Sequence, residues 1–151
     1  MPDRNEPAAA GSLNVVAREL EYELDEGCDT IDITADVAGL IADSGVRAGT
    51  VTVFVPGATG AVTCLEYEPG VVADFRAAIE RLAPSDGFYE HNVLMDDGNG
   101  FSHVRAGLLG PSLAVPLTAG RLTLGTWQQI VLVNFDSRRR TRRVAVQIVG
   151  V

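Results

Sequence analysis

The sequence predicts an α+β domain in which a mostly antiparallel, barrel-like sheet is combined with two or three helices. Three observations lead to this class. Alternating apolar and polar residues, the pattern of strands, occur early, in the middle and late in the 151-residue chain. Stretches with helical spacing separate the early strands from the late ones. The late strands follow one another closely, which favours antiparallel neighbours.

The first quarter of the chain predicts strands and one short helix. "LNVVARELEYEL" (Leu13–Leu24) starts apolar and then alternates, as a half-exposed strand does, although its Glu and Leu content also suits a helix. Ile31 and Ile33 continue an alternating pattern. Thr34 or Asp36 can then cap a short helix, which "SGVRAG" ends because glycine suits a helix C-terminus.

The rest of the chain predicts further strands and two helices. "TVTVFVPG" (Thr50–Gly57) is β-branched and aromatic, the clearest strand of the sequence. "VVADFRAAIERLAP" and "GFSHVRAGLLG" have helical spacing, and a hairpin is expected around "TAGR". "QQIVLVNF" is almost wholly apolar after its glutamines, which predicts a strand covered on both faces by helices or another subunit.

The chain length, the N-terminal segment and the cysteines predict one cytoplasmic domain. Residues 1–12 are expected to be a flexible N-terminal tail and residues 13–151 a single domain. No apolar run approaches the roughly 20 residues of a membrane-spanning helix, and the tail lacks the order of a signal peptide. Cys28 and Cys64 have no CxxC spacing, so we expect free thiols in a reducing compartment.

The charge excludes several classes of protein. The net charge is −8, from twenty acidic and twelve basic residues, which argues against a nucleic-acid partner. All twelve basic residues are arginine. Without lysine there is no Schiff-base chemistry with pyridoxal phosphate and no Walker-type contact to nucleotide phosphates.

Both histidines lie in one acidic, glycine-bearing stretch, "YEHNVLMDDGNGFSHV" (Tyr89–Val104). We expect His91 in a loop. Asn99 and His103 share a face if a helix begins near Asn99. Two imidazoles and a carboxylate suit a zinc-like site or proton transfer. The alternative is a packed, hydrogen-bonded histidine on a helix edge.

Three further polar features each have a functional and a structural interpretation. In "AVTCLEYE", a strand would send Glu66 and Glu68 to one face, as paired carboxylates or as a solvated strand end. "PGATG" lacks a Gly-Lys-Ser/Thr ending, so only its backbone N–H groups can bind an anion. "SRRRTRR" suits bidentate phosphate binding, or a solvated hairpin paired with surface carboxylates.

Several motifs, taken in order, resemble the YjbQ-like family. The most specific is "GTWQ" (Gly125–Gln128), followed by an arginine-rich segment and "RVAVQIVG". The other features that match are "SGVRAGTVTVF", Thr59, Glu66, Asp74, Tyr89 with His91, Asn99 with His103, "LLGPS" and Val115-Pro116. The resemblance covers roughly Ile31 to Gly150.

The resemblance implies a compact α+β subunit that forms a homotrimer, with the polar residues near a subunit boundary. Members are often described as secondary thiamine-phosphate synthases, which join a pyrimidine pyrophosphate to a thiazole phosphate. Catalytic roles are implied for Glu66, His91 and His103, and the two histidines would hold a divalent metal, zinc or magnesium. The residues implied for binding a small phosphorylated or anionic ligand are Thr59, Asn99, Thr126, Trp127, Gln128, Arg140 and Arg143, with Arg142 as another source of charge.

The sequence departs from the family pattern at one turn. Many members carry a histidine before the glutamate strand, where this chain has Gly57 or Ala58, and an asparagine where it has Leu65. A site with three histidines therefore cannot form. Two histidines with Glu66 and water would have to bind the metal, and a non-enzymatic trimer that binds a small anion or a metal is the alternative function.

Overall fold

The computed structural model describes residues 11–151, so most of the predicted tail lies outside the described residues. The described residues form eight strands and four helices. In chain order these are β1 Asn14–Leu24, β2 Asp29–Asp32, α1 Thr34–Ser44, β3 Gly49–Phe54, β4 Gly60–Leu65, α2 Pro69–Leu82, α3 Glu90–Met95, α4 Gly100–Leu109, β5 Ser112–Thr118, β6 Arg121–Leu122, β7 Gln129–Asn134 and β8 Arg140–Gly150.

The larger sheet has five antiparallel strands in the order β1-β8-β3-β5-β6. Its inner face follows from the alternation in "RVAVQIVG". Val144, Val146 and Ile148 are almost fully buried, whereas Arg143, just before them, and Gln147, between the last two, are exposed. The inner residues pack against the smaller sheet and α1, and this forms the main core.

The smaller sheet has three antiparallel strands in the order β2-β7-β4, and its central strand is buried on both faces. Ile130 and Leu132 face the main core. Val131 and Val133 face a second apolar cluster that includes residues of α2 and α4. The cover predicted for both faces of "QQIVLVNF" is confirmed, and all of it comes from within the chain.

The predicted α+β class with a barrel-like antiparallel sheet is confirmed, because the two sheets curl around one shared core. The prediction that the late strands are neighbours holds for β5 and β6 but is wrong for β7 and β8. β7 pairs with β2 and β4, whereas β8 pairs with β1 and β3. The connection from β7 to β8, which carries Arg138 and Arg139, therefore passes from one sheet to the other, and the remaining arginines of the segment lie at the start of β8.

Two local expectations are also wrong. The strand in "AVTCLEYE" ends at Leu65, so Glu66 and Glu68 do not share a strand face. Glu68 instead caps α2, where its carboxylate accepts hydrogen bonds from the N–H groups of Gly70 and Val71, just after Pro69 starts the helix. His91 lies on the short helix α3 and not in a loop.

None of the helices between residues 11 and 151 is both long and apolar enough to cross a membrane. Cys28 and Cys64 are half-buried free thiols, as predicted. Burial raises the pKa of Cys28 to about 11 and also raises the pKa of Cys64. Neither thiol is therefore an activated nucleophile at neutral pH.

Candidate functional site

Two consecutive helices place His91 and His103 side by side. α3 follows the extended residue Tyr89 and ends at Met95, and the next residue, Asp96, has left-handed backbone geometry with φ 52°. The chain then turns back into α4, which carries His103. The two imidazole ring centroids are 4.6 Å apart, and the ring planes are tilted by 58°. Both imidazoles are partly exposed, so a ligand from solution can reach them.

Asp97, in the turn between the two helices, completes a cluster of three possible metal ligands. Its Oδ2 lies 3.2 Å from His91 Nε2, and its Oδ1 accepts a hydrogen bond of 3.1 Å from the N–H of Asn99. That backbone hydrogen bond is the main reason that the pKa of Asp97 lies below its usual value, and the two imidazoles lower it further. The carboxylate is therefore ionised at neutral pH.

The three side chains of this cluster are candidate ligands of a divalent cation. One ligand atom from each of His91, Asp97 and His103 lies within 4.8 Å of the others. A tetrahedral centre with metal–ligand bonds of about 2.0–2.1 Å separates its ligand atoms by about 3.3 Å. The His91–Asp97 pair already has this spacing, at 3.2 Å.

Gly100 fixes the distance between α3 and α4. A Cβ atom at this position would lie 2.5 Å from Tyr89 Cβ and 2.8 Å from Asn92 Oδ1. The Gly100 N–H also donates a hydrogen bond of 2.7 Å to Asn92 Oδ1. The close approach of the two helices, and with it the contact of the two imidazoles, therefore depends on a glycine here.

A buried polar network lies beside the loop Gly57–Gly60. The Arg142 side chain, only 8% exposed, donates from Nη2 to Thr59 Oγ1 and Asn134 Oδ1, both at 2.6 Å. Thr59 Oγ1 in turn donates to Asp136 Oδ2 at 2.8 Å. Arg140 Nε lies 2.9 Å from the same carboxylate oxygen. Two guanidinium groups therefore share one buried carboxylate, and the network is net positive.

Charge and hydrogen bonding keep the buried carboxylate ionised. Burial on its own raises the pKa of Asp136 and is the largest single influence. The hydrogen bonds from Arg140 and Thr59, with the charges of Arg140 and Arg142, outweigh it and bring the pKa below its ordinary value. The Ser137 N–H lies 3.4 Å from Asn99 Oδ1, so the network is connected to the first residue before α4.

The remaining candidates lie at the other end of the smaller sheet. At one end of this sheet Gly60 pairs with Asn134, and we call it the histidine end because Gly60 and His103 line the same cavity. At the opposite end Leu65 pairs with Gln129. Five residues of strand at about 3.3 Å each separate the two ends by roughly 16 Å. Glu66 follows Leu65 directly. Three further candidates precede β7 and are exposed, namely Thr126, Trp127 and Gln128.

The arginines of the arginine-rich segment lie in two different environments. Arg140 and Arg142 join the buried network, whereas Arg143 lies on the outer face of the larger sheet. There its Nε is 3.9 Å from Glu19 Oε1 and 3.5 Å from Glu21 Oε2. The interpretation of the segment as paired with surface carboxylates thus describes Arg143, and the structure does not bring Arg143 together with the histidines.

Sequence reasoning missed the part played by Asp97 and Asp136. Asp97 follows an identical residue, Asp96, and only the backbone separates their roles: Asp96 ends α3, whereas the Asp97 carboxylate turns back to the Asn99 N–H. Asp136 stands just before the arginine-rich segment, which was a usable signal. Its burial between Arg140 and Thr59 depends on the crossing between sheets.

Comparisons with known proteins agree with one another. A profile of the family described as UPF0047 protein YjbQ-like matches residues 18–151. A UPF0047 protein of Methanothermobacter thermautotrophicus is 37% identical over 138 residues, which cover 91% of this chain and 94% of that protein. One from Archaeoglobus fulgidus is 39% identical, with 85% and 98% covered. The crystal structure of a YbjQ-like protein of unknown function from Sulfolobus solfataricus superposes with a TM-score of 0.88 at 29% identity, covering 93% of this chain and all of that one (100%).

Proposed function

The chain belongs to the YjbQ-like family of UPF0047 proteins, and from this we propose that it is a metal-dependent enzyme acting on a small phosphorylated ligand. The observation that carries the proposal is the cluster of His91, Asp97 and His103, whose ligand atoms lie within 4.8 Å of one another. Two imidazoles and one carboxylate form the protein ligands of many catalytic zinc and iron sites. Three protein ligands leave coordination positions open to water or substrate.

The specific reaction that we propose is the formation of thiamine phosphate. The thiazole ring nitrogen forms a bond to the methylene carbon of the pyrimidine, the C–O bond to pyrophosphate breaks, and pyrophosphate leaves with the electron pair. A bound divalent metal would stabilise the negative charge of the leaving group. Arg140, which stands 46% exposed beside Asp136, adds a fixed positive charge for the same purpose.

We further propose that the active assembly is a homotrimer in which the two ends of the smaller sheet meet across a subunit boundary. Within one chain, Glu66 and Trp127 lie too far from the histidines to share a ligand. The segment from the end of α2 to α4 also exposes several large apolar side chains, which a neighbouring copy would cover. They are Leu82, Phe88, Val93, Leu94, Met95, Val104 and Leu108. Trp127, 72% exposed, would supply a stacking surface from the neighbour.

The metal content of untagged protein, measured by elemental analysis, tests the proposal. Asp97→Asn and Asp96→Asn make the same change of charge at adjacent positions, and only Asp97 lies in the cluster. We expect one zinc or another divalent metal per chain in the parent protein and in Asp96→Asn, and loss of most of it in Asp97→Asn and in His91→Ala/His103→Ala. Equal metal content in both aspartate variants, or no metal after incubation with zinc, manganese or magnesium, contradicts the metal centre.

A non-enzymatic protein that binds a metal or small anion is the second candidate function. The observation that favours it is the separation of Glu66 and Trp127 from the histidines within the chain. The two functions differ in turnover. With pyrimidine pyrophosphate, thiazole phosphate and Mg²⁺, an enzyme releases pyrophosphate and loses this activity in Asp97→Asn. A binding protein shows ligand-dependent melting with no product.

A further inference from the structure

We propose that the loop Gly57–Gly60 and Arg142 form a binding site for a phosphoryl group directly beside the histidine cluster. This inference rests on the proposed function for the identity of the ligand and deepens it, because it places the phosphoryl group on the chain. Three independent observations support the site: a cavity, a set of backbone donors and a buried guanidinium group.

The cavity lies between α4 and the loop. It has a volume of about 310 Å³, with His103 and Gly107 on the helix side and Gly57, Ala58 and Gly60 on the loop side. His103 and Gly107 are one helical turn apart and face the same way. The volume is at the small end of the range for ligand pockets, roughly 300–1,000 Å³. One wall of the cavity is therefore a metal-ligand candidate, and the opposite wall is the glycine-bearing loop.

The loop offers backbone donors that the fold does not use. Among residues 11–151, no carbonyl or side chain accepts a hydrogen bond from the N–H groups of Gly57, Ala58 or Thr59. Gly57 has φ 117°, a conformation that favours glycine. Successive unpaired N–H groups in such a turn form a concave surface that binds anions.

Arg142 supplies charge beneath the same loop. An added Cβ on Gly57 would lie 3.4 Å from Arg142 Nη1, and one on Gly60 would lie 3.4 Å from its Cζ, so the guanidinium packs directly against both glycines. Nε and Nη2 are held by Asn134 and Thr59, whereas Nη1 has no acceptor among the residues that the structure describes. Its orientation is therefore fixed before an anion arrives, which reduces the entropy lost on binding.

The number of free donors favours a phosphoryl group. The N–H groups of Gly57 and Ala58, two residues that line the cavity, and the two hydrogens on Arg142 Nη1, which packs against Gly57, make four donors. A phosphate presents three strong acceptor oxygens. The surrounding charge agrees, because Arg140 and Arg142 exceed the single carboxylate of Asp136 in a chain whose net charge is −8. A cation at the histidines would strengthen the same attraction.

Titration calorimetry with inorganic phosphate tests the site in the full chain. Substitution of Arg142 risks unfolding, so the main variant is Gly107→Leu, which fills the cavity at a helical position where an added Cβ meets no atom within 4 Å. Gly39→Leu is the matched control, since Gly39 is an exposed glycine in α1 with the same free space and lies outside the cavity. We expect Gly107→Leu to weaken phosphate binding by about tenfold or more, the loss of one charge-assisted hydrogen bond or more, and Gly39→Leu to leave it unchanged.

Phosphate that does not bind the parent chain, or that binds Gly107→Leu and the parent equally, overturns the inference. The metal content of the same preparations separates this inference from the proposed function. Metal bound without phosphate contradicts the phosphoryl site alone. Phosphate bound without metal contradicts the metal centre alone, and the absence of both contradicts both.

Discussion

The two ends of the smaller sheet carry candidate residues in opposite states. At the histidine end, the candidate side chains are fixed by hydrogen bonds. Asp97 accepts one from the Asn99 N–H, and Thr59 accepts one from Arg142. At the other end, Trp127 is 72% exposed, and Glu66 has an exposed side chain. The first end is organised by the fold of a single chain, whereas the second presents its side chains outward.

This difference indicates which of the two ends contributes more to the folding stability of the single chain. A buried charged network is costly to break, because a single lost partner leaves a desolvated charge behind. Exposed aromatic and acidic side chains add little to the stability of a monomer. The histidine end is therefore expected to respond to substitution through folding, and the opposite end through assembly and ligand binding.

The largest expected effect is at Arg142. Arg142→Met removes its hydrogen bonds to Asn134 and Thr59 and leaves the buried Asp136 with Arg140 as its one cation among residues 11–151. We expect the free energy of unfolding to fall by about 3–5 kcal/mol, measured by urea denaturation. The control is Arg143→Met, which makes the same charge change at an adjacent side chain that is 67% exposed. Its expected loss is at most about 1 kcal/mol, and equal losses in the two variants contradict the comparison.

A smaller effect is expected at Gly100, where α3 meets α4. Gly100→Ala places a Cβ 2.5 Å from that of Tyr89, so the helices must separate. We expect a loss of about 1–3 kcal/mol from this overpacking, together with weaker metal binding, because His91 and His103 move apart. Gly107→Ala in the same helix has free space and is expected to be neutral or stabilising by up to about 1 kcal/mol. Thermal unfolding with and without zinc measures both effects, and a Gly100→Ala variant with unchanged stability and zinc response contradicts the proposed role of this close approach.

Most of the strands were predictable from the sequence, because local alternation decides which face of a strand is buried. The pairing of β7 and β8 was not, since strands that follow one another in sequence join different sheets here. That choice depends on the main core, where Ile130 and Leu132 from one sheet meet Val146 and Ile148 from the other. No local pattern records such long-range packing.

The candidate site was predictable to the same extent. The grouping of His91 with His103 follows from their spacing around a turn. The choice of Asp97 as their carboxylate neighbour depends on the left-handed backbone at Asp96, which the sequence "DDGNG" does not specify. The burial of Arg142 rather than Arg143 follows from strand parity once β8 is in place, because alternate residues face opposite sides of the sheet.

The smallest expected effect on a single chain is at Trp127, and it is the sharpest test of the comparison. Because the indole is 72% exposed, Trp127→Ala should change the unfolding free energy of the dissociated chain by no more than about 0.5 kcal/mol. If the indole packs against a neighbouring copy, the same variant should dissociate at a higher protein concentration than the parent, since assembly stabilises by mass action. Light scattering over a dilution series measures this, with Val15→Ala as the control, because Val15 is 61% exposed and lies on the larger sheet. A Trp127→Ala variant that assembles like the parent at every concentration would place the indole outside the subunit boundary, and the opposite end of the smaller sheet would then have no part in a shared site.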